Sequence, residues 1–89
     1  MPELTDYPNV GDKLASELQR AGIATYDRLV QLGAVEAALR ITRGRPHTGY
    51  NLLYALEGAI SGIRWHAIAK ADRAALKAEY DRRRRESAG

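Results

Sequence analysis

Eighty-nine residues, 45% hydrophobic and 28% charged with a net charge of +3, suit one globular domain of the size that buries about 60–65% of its unfolded surface. No apolar run reaches the roughly 20 residues needed to cross a bilayer, so no membrane contact is expected. The start Met1-Pro2-Glu3-Leu4 lacks the basic and apolar segments of a secretory signal, which points to the cytoplasm. With no cysteine, disulfides and thiolate metal sites are excluded, and stability must come from packing.

The first predicted element grows out of Pro8-Asn9-Val10-Gly11-Asp12-Lys13-Leu14, a tight turn running into a helix. Lys13 to Ala21 carries Leu14, Leu18 and Ala21 at the three- and four-residue spacing of one buried face. Gly22 then Ile23 forms a Schellman stop: glycine accepts the left-handed conformation and the next apolar residue folds back on the last turn. Thr25 fits the N-cap of a short helix from Tyr26 to Leu32, with Leu29 and Val30 inward, and Gly33 breaks it. Ala34 to about Thr42 is predicted as the third helix, with Val35, Ala38, Leu39 and Ile41 toward the core and Glu36 paired with Arg40 outside. The glycines and proline between Arg43 and Gly49 dictate a loop.

From Tyr50 to Ser61 the apolar residues Leu52, Leu53, Leu56, Ala59 and Ile60 form a wide stripe, the strongest helical signal in the chain. Gly62-Ile63 repeats the stop used at Gly22-Ile23, although the match between the two regions is too short to establish duplication. Trp65 and Ile68 occupy a short turn. A last helix runs from about Lys70 into Arg82-Arg83-Arg84-Arg85, with Leu76 and Tyr80 inward. Nothing alternates with period two for long enough to make a strand. The fold class is therefore all-α, a compact bundle of five short helices packed at steep angles and dependent on a shared core.

Little in the chain suggests catalysis. His47 and His66 lie 19 residues apart, without cysteine or the His-x-x-x-His spacing of a zinc site, and read as surface residues. Ser16, Ser61 and Ser87 lack a Gly-x-Ser-x-Gly context, no Walker or dinucleotide glycine pattern is present, and the carboxylates are scattered over helix surfaces. No enzyme activity, cofactor, metal or small-molecule substrate is expected.

Polyanion binding has more material. Residues 1–39 hold Glu3, Asp6, Asp12, Glu17, Asp27 and Glu36 against Lys13, Arg20 and Arg28, so the basic excess falls in the remainder of the chain. Gly11 and Lys13 mark one candidate: a helix start offers unpaired N–H groups and a positive dipole end, glycine permits close approach, and the lysine adds a charge. Asp12 in the same turn opposes a phosphate, and a plain helix start with Asn9 or Asp12 as cap remains the alternative. Arg43 and Arg45, in the stretch from Arg40 to His47, mark a second candidate. Arg82, Arg83, Arg84 and Arg85 mark a third, although successive helical positions point in all directions and the pairs Glu79–Arg83 and Asp81–Arg85 would consume part of that charge. The expectation for residues 81–89 is a frayed, solvated tail.

Taken together, Asn9-Val10-Gly11, Gly22-Ile23, Leu32-Gly33-Ala34-Val35, the block from Asn51 to Ala59 reading NLLYALEGA, and Trp65 form a recognisable set. Over about residues 4 to 80 the chain resembles the C-terminal domain of the TfoX/Sxy family of bacterial competence regulators. The resemblance implies a stand-alone version of that domain, without the N-terminal domain of full-length members. It also implies a helix-hairpin-helix-like or SAM-like arrangement and a role in regulating gene expression for DNA uptake. Two departures from the DNA-binding hairpin are visible: Asn9 stands where that pattern has its first glycine, and too few residues precede the turn for a full leading helix. In this comparison Leu52, Leu56, Ala59 and Trp65 read as core, Asn51 as a cap or loop tie, and Glu57 as a partner for a basic side chain.

The resulting expectation is a non-enzymatic regulatory domain spanning residues 1–89 and contacting nucleic acid, DNA above all, through nonspecific phosphate contacts. The alternative is a protein–protein or dimerisation adaptor that uses exposed parts of Tyr50, Tyr54 and Tyr80, since tyrosine is favoured at interfaces.

Overall fold

Leu18, Ile23, Leu29, Leu53 and Leu56 are the largest side chains completely withdrawn from water, and each comes from an apolar stripe or stop already visible in the sequence. In the computed structural model, which describes residues 4–7, 9–43 and 50–88, these residues are brought together by helices alone. A 3₁₀ turn, Leu4–Asp6, precedes α1 (Asp12–Arg20), α2 (Tyr26–Thr42) and α3 (Asn51–Ser61); a second 3₁₀ turn, Trp65–Ala67, leads into α4 (Lys70–Ala88). The Cα radius of gyration is 12.3 Å, close to the roughly 12 Å of a compact chain this long. Pro8 and residues 44–49 of the stretch expected as a loop, Arg45 and His47 among them, lie outside the described residues.

Among the described residues there are four α-helices rather than five, because the second and third expected helices form one element. Gly33, at φ 82 and ψ 164, still bends that element out of helical geometry where the break was predicted. Thr25 caps α2 as expected, its hydroxyl accepting from the Arg28 N–H at 3.2 Å. Both Gly-Ile stops close as Schellman motifs, with Ile23 N–H donating to the Leu18 carbonyl at 2.8 Å and Ile63 N–H to the Gly58 carbonyl at 2.9 Å. Their tertiary use differs: Ile23 is buried, whereas Ile63 is 39% exposed.

Several core assignments need correction. Val30 is exposed, because the buried face of the first part of α2 follows Tyr26, Leu29 and Leu32, and Val30 lies a full residue rotation away from it. Trp65 is 38% exposed on its 3₁₀ turn while Ile68 is the residue that enters the core. Asn51 makes no cap, since α3 starts from Tyr50 without a side-chain hydrogen bond. Glu57 accepts from Ser61 at 3.4 Å and makes no ion pair among the described residues.

The C-terminal end of α3 is where the chain's distant parts are joined. Its last carbonyls have no helical partners and need others. Tyr26, at the start of α2, donates its hydroxyl to the Ile60 carbonyl at 2.8 Å and the Ala59 carbonyl at 3.3 Å, and its ring stacks on Tyr7 at 3.8 Å between centroids. Asn9 reaches the same end. Its Nδ2 donates to the Ile63 carbonyl at 2.9 Å and its Oδ1 accepts from the Trp65 N–H at 3.0 Å. Asn9 is therefore not a helix cap: it sits at φ 68, a left-handed conformation that asparagine tolerates better than most residues.

This amide fits only because residue 58 is glycine. A Cβ built on buried Gly58 would lie 2.4 Å from Asn9 Nδ2 and 2.6 Å from the Ile63 carbonyl oxygen. Gly58→Ala should cost about 2 kcal/mol by overpacking, seen as a fall in Tm of roughly 10 °C. Asn9→Gly, which keeps the left-handed backbone and removes both hydrogen bonds, should cost about 1–2 kcal/mol in thermal or urea denaturation.

Candidate functional site

Gly11 is the N-cap of α1 at φ −92, with no side-chain cap. Lys13 is exposed one turn in, with exposed Asp12 beside it. A Cβ added at Gly11 would meet nothing within 4 Å. The helix start is thus open, and the fold itself places no demand for glycine there. Because Asn9 is tied to Ile63 and Trp65, Gly11 and Lys13 lie at the end of the molecule where α3 finishes.

The arginines gather toward the other end. Tyr50, where α3 begins, stands 6.2 Å edge-on from the Tyr80 ring of α4, and the Tyr80 hydroxyl is 3.0 Å from Thr42 Oγ1 in the last turn of α2. Arg84 Nη1 donates to both, at 3.3 Å to Thr42 and 3.2 Å to Tyr80. Arg43 is exposed next to Thr42 as the C-cap of α2. Since α3 has 11 residues and is about 15 Å long, the structure separates Gly11 and Lys13 from the arginine group. Arg45 lies outside the described residues.

α4 remains helical through Arg82–Arg85 as far as Ala88, within the stretch 81–89 expected as a frayed tail. Packing against α2 explains this. Arg83 pairs with Glu36 of α2, and Glu36 also accepts from Arg40 Nε at 3.0 Å, the predicted i,i+4 pair. Among the described residues no Glu79–Arg83 or Asp81–Arg85 ion pair forms, and Asp81 accepts from the Tyr50 hydroxyl at 2.9 and 3.0 Å. Arg82 pairs with Glu86 at 2.8 Å. Exposed Arg43 and Arg85 form no ion pair among the described residues.

These contacts shift two titrations. Glu36 is held below its ordinary carboxylate value, first by the hydrogen bond from Arg40 and then by Arg83, against an opposing effect of burial. Tyr50 is raised, first by its hydrogen bond to Asp81 and then by burial. No group of three or more His, Cys, Asp or Glu among the described residues is placed to hold a metal ion. No described helix is long and apolar enough to cross a membrane.

The tyrosines of the adaptor alternative are less available than expected. Tyr80 is 3% exposed, and Tyr50 and Tyr54 are half-buried. The Glu36–Arg40 pair is legible in the sequence, but Glu36 as the partner of Arg83 and Thr42 as the partner of Arg84 are not. Thr42 follows buried Ala38 by four residues on α2, which says that a neighbour packs there without saying which one, whereas Glu36 lies away from that face and its spacing to Arg40 signals only the pair within its own helix.

A family model described as the TfoX C-terminal domain matches residues 1–80. The chain belongs to that family. Similar solved structures come from Listeria monocytogenes. One, an uncharacterised protein in a triclinic crystal form, is 42% identical with a TM-score of 0.80, covering 85% of this chain and 86% of its own. Another, a protein of unknown function in a tetragonal form, is 41% identical with a TM-score of 0.80, covering 88% and 95%. No curated protein matches.

In this TfoX C-terminal domain the Glu36 cluster makes stability depend on acid. A carboxylate whose folded pKa is depressed adds stability that is complete above its unfolded value and is lost as pH falls through the folded value. Wild type should therefore melt above Glu36→Gln at neutral pH, and the gap should close as pH falls below the ordinary value of 4.5. Thermal melts of both proteins from neutral pH to about pH 3 measure this.

Proposed function

We propose that this TfoX C-terminal domain is a non-enzymatic regulatory module that associates with nucleic acid through phosphate contacts at its arginine-rich end. The observation that carries the reading is the imbalance there. Glu36 and Glu86 engage Arg40, Arg83 and Arg82, while Arg43 and Arg85 stay exposed and without an ion pair among the described residues. Arginine is suited to phosphate because its donors are fixed in a fork and its charge persists at all working pH values. Such contacts position a nucleic acid without reading its sequence.

The turn into α1 supports a secondary contact. Left-handed Asn9, N-cap Gly11 and exposed Lys13 resemble the second half of a DNA-binding helix-hairpin-helix, with a three-residue 3₁₀ turn in place of the leading helix. Asn9 is already committed to the α3 end, so this turn contributes a point charge more than a backbone cradle. The family membership extends the proposal to regulation of transcription for DNA uptake, in the cytoplasm.

Binding to a mixed-sequence duplex should be weak and should fall steeply with salt, with log K declining by about 0.9 per log unit of salt for each phosphate contacted. Replacing Arg43 and Arg85 together by glutamine should lower that slope by roughly two contacts' worth and leave the melting temperature within a few degrees. Undetectable binding at low salt, or a slope unchanged by the double substitution, would overturn the reading.

A further inference from the structure

The charges of α4 are sorted along the helix. Lys70, Arg73, Lys77 and Arg84 are separated by three, four and seven residues and form one stripe, whereas Asp72, Glu79 and Glu86 recur every seven on another. The basic stripe borders a row of aromatic rings. Lys77 Nζ lies over the Tyr50 ring at 4.9 Å from its centroid and the Arg84 guanidinium carbon over Tyr80 at 5.7 Å. From Tyr50 the row continues to Tyr54 at 6.3 Å, then to Trp65 at 6.4 Å with the planes only 16° apart, and ends with His66 edge-on at 6.0 Å.

We infer that this row and stripe form a binding surface for single-stranded nucleic acid, with Trp65 and Tyr54 taking bases and Lys70 and Lys77 taking phosphates. The inference rests on the reading that the domain associates with nucleic acid, but it assigns that ligand to a different surface from the arginine-rich end. Trp65 is 38% exposed although it is the chain's one tryptophan, and His66, Lys70 and Lys77 are exposed around it. Tyr50 and Tyr54 are half-buried, which fixes the floor of the row in place. Lys70 and Lys77 are exposed and make no ion pair among the described residues, so their charge is available to phosphates, whereas Arg73 is half-buried with its Nε withdrawn from water. The acidic side chain at the row's inner end, Asp81, is engaged by the Tyr50 hydroxyl.

Single strands fit this chemistry better than duplex does. Aromatic faces bind bases whose own faces are uncovered, and a flanking line of cations follows the backbone; in a duplex those faces are already stacked on one another. DNA and RNA share these features, and separate oligomers distinguish them.

Trp65 makes the test direct in the full chain. At low salt, oligothymidylate and oligouridylate of about eight nucleotides should quench its fluorescence, and should bind at least fivefold more tightly per site than a mixed-sequence duplex. Measured by anisotropy of a labelled oligomer, Trp65→Ala and Tyr54→Ala should each weaken single-strand binding about tenfold, while Trp65→Phe keeps most of it. Lys77→Gln should reduce the salt slope with an unchanged circular dichroism spectrum, which separates a lost contact from a lost fold. If single strands bind without quenching Trp65, and Trp65→Ala and Lys77→Gln leave affinity intact, this surface is refuted while nucleic-acid association at the arginine-rich end stands. If neither single strands nor duplex bind, both proposals fall.

Discussion

The amide of Asn9 and the missing Cβ of Gly58 form a single constraint between residues nearly fifty positions apart. Asn9 bonds at once to the Ile63 carbonyl and the Trp65 N–H, and it can approach only because the α3 surface at residue 58 has no side chain. Two neighbours depend on this joint. The N-terminal turn is fixed against α3, which allows Tyr7 to stack on Tyr26 and Leu4 and Val10 to enter the core. The segment after α3 is fixed in the same way, which sets where the Trp65 turn stands and where α4 begins. A helix end that would otherwise expose carbonyls is satisfied by Tyr26, by Ile63 and, two residues beyond Ser61, by Asn9.

From this joint the charged surface follows. α3 and α2 carry the core between two ends, one holding Asn9, Tyr26 and Lys13 and the other holding Thr42, Tyr80 and the arginines. Glu36 collects Arg40 and Arg83 and so attaches α4 to α2 with partly buried ion pairs. Such pairs specify the packing more than they add net stability, since desolvation offsets much of the attraction. Their effect on function is to let some arginines hold the helix while others remain exposed. Along the opposite border of α4, Lys77 and Arg84 lie over tyrosine rings, so cations and aromatic faces are set side by side by the same packing that buries Tyr80.

What could be read from the sequence was whatever depends on local periodicity. The Gly-Ile stops, the Thr25 cap, the Gly33 break, the Glu36–Arg40 pair and the burial of Leu53, Leu56 and Ala59 all follow from neighbours within one or two turns. Contacts across the fold were not legible. Asn9 looks like a cap or a failed hairpin glycine until the α3 end is seen beside it, and Gly58 looks like a weak position in an otherwise strong helix. Ile23 and Ile63 follow identical stops, yet one is buried and the other exposed, because only tertiary neighbours decide the difference. The arginine run was read in isolation as solvated. It is half used up by partners on α2 that no spacing rule on its own helix could identify. The proposed aromatic surface joins Tyr50 and Tyr54 on α3 to Trp65 beyond it, and only the position of the turn after α3 makes them neighbours.

The dependence on one joint is tested most directly by a double-mutant cycle between Asn9→Gly and Gly58→Ala, read from urea unfolding of all four proteins. If the two residues form one fitted contact, the new Cβ displaces an amide that the first substitution has already removed. The double variant should then be more stable than the sum of the single losses by about 1 kcal/mol. Losses that add to within about 0.3 kcal/mol would show that Asn9 and Gly58 act independently, and would contradict the joint as the constraint on which the fold depends.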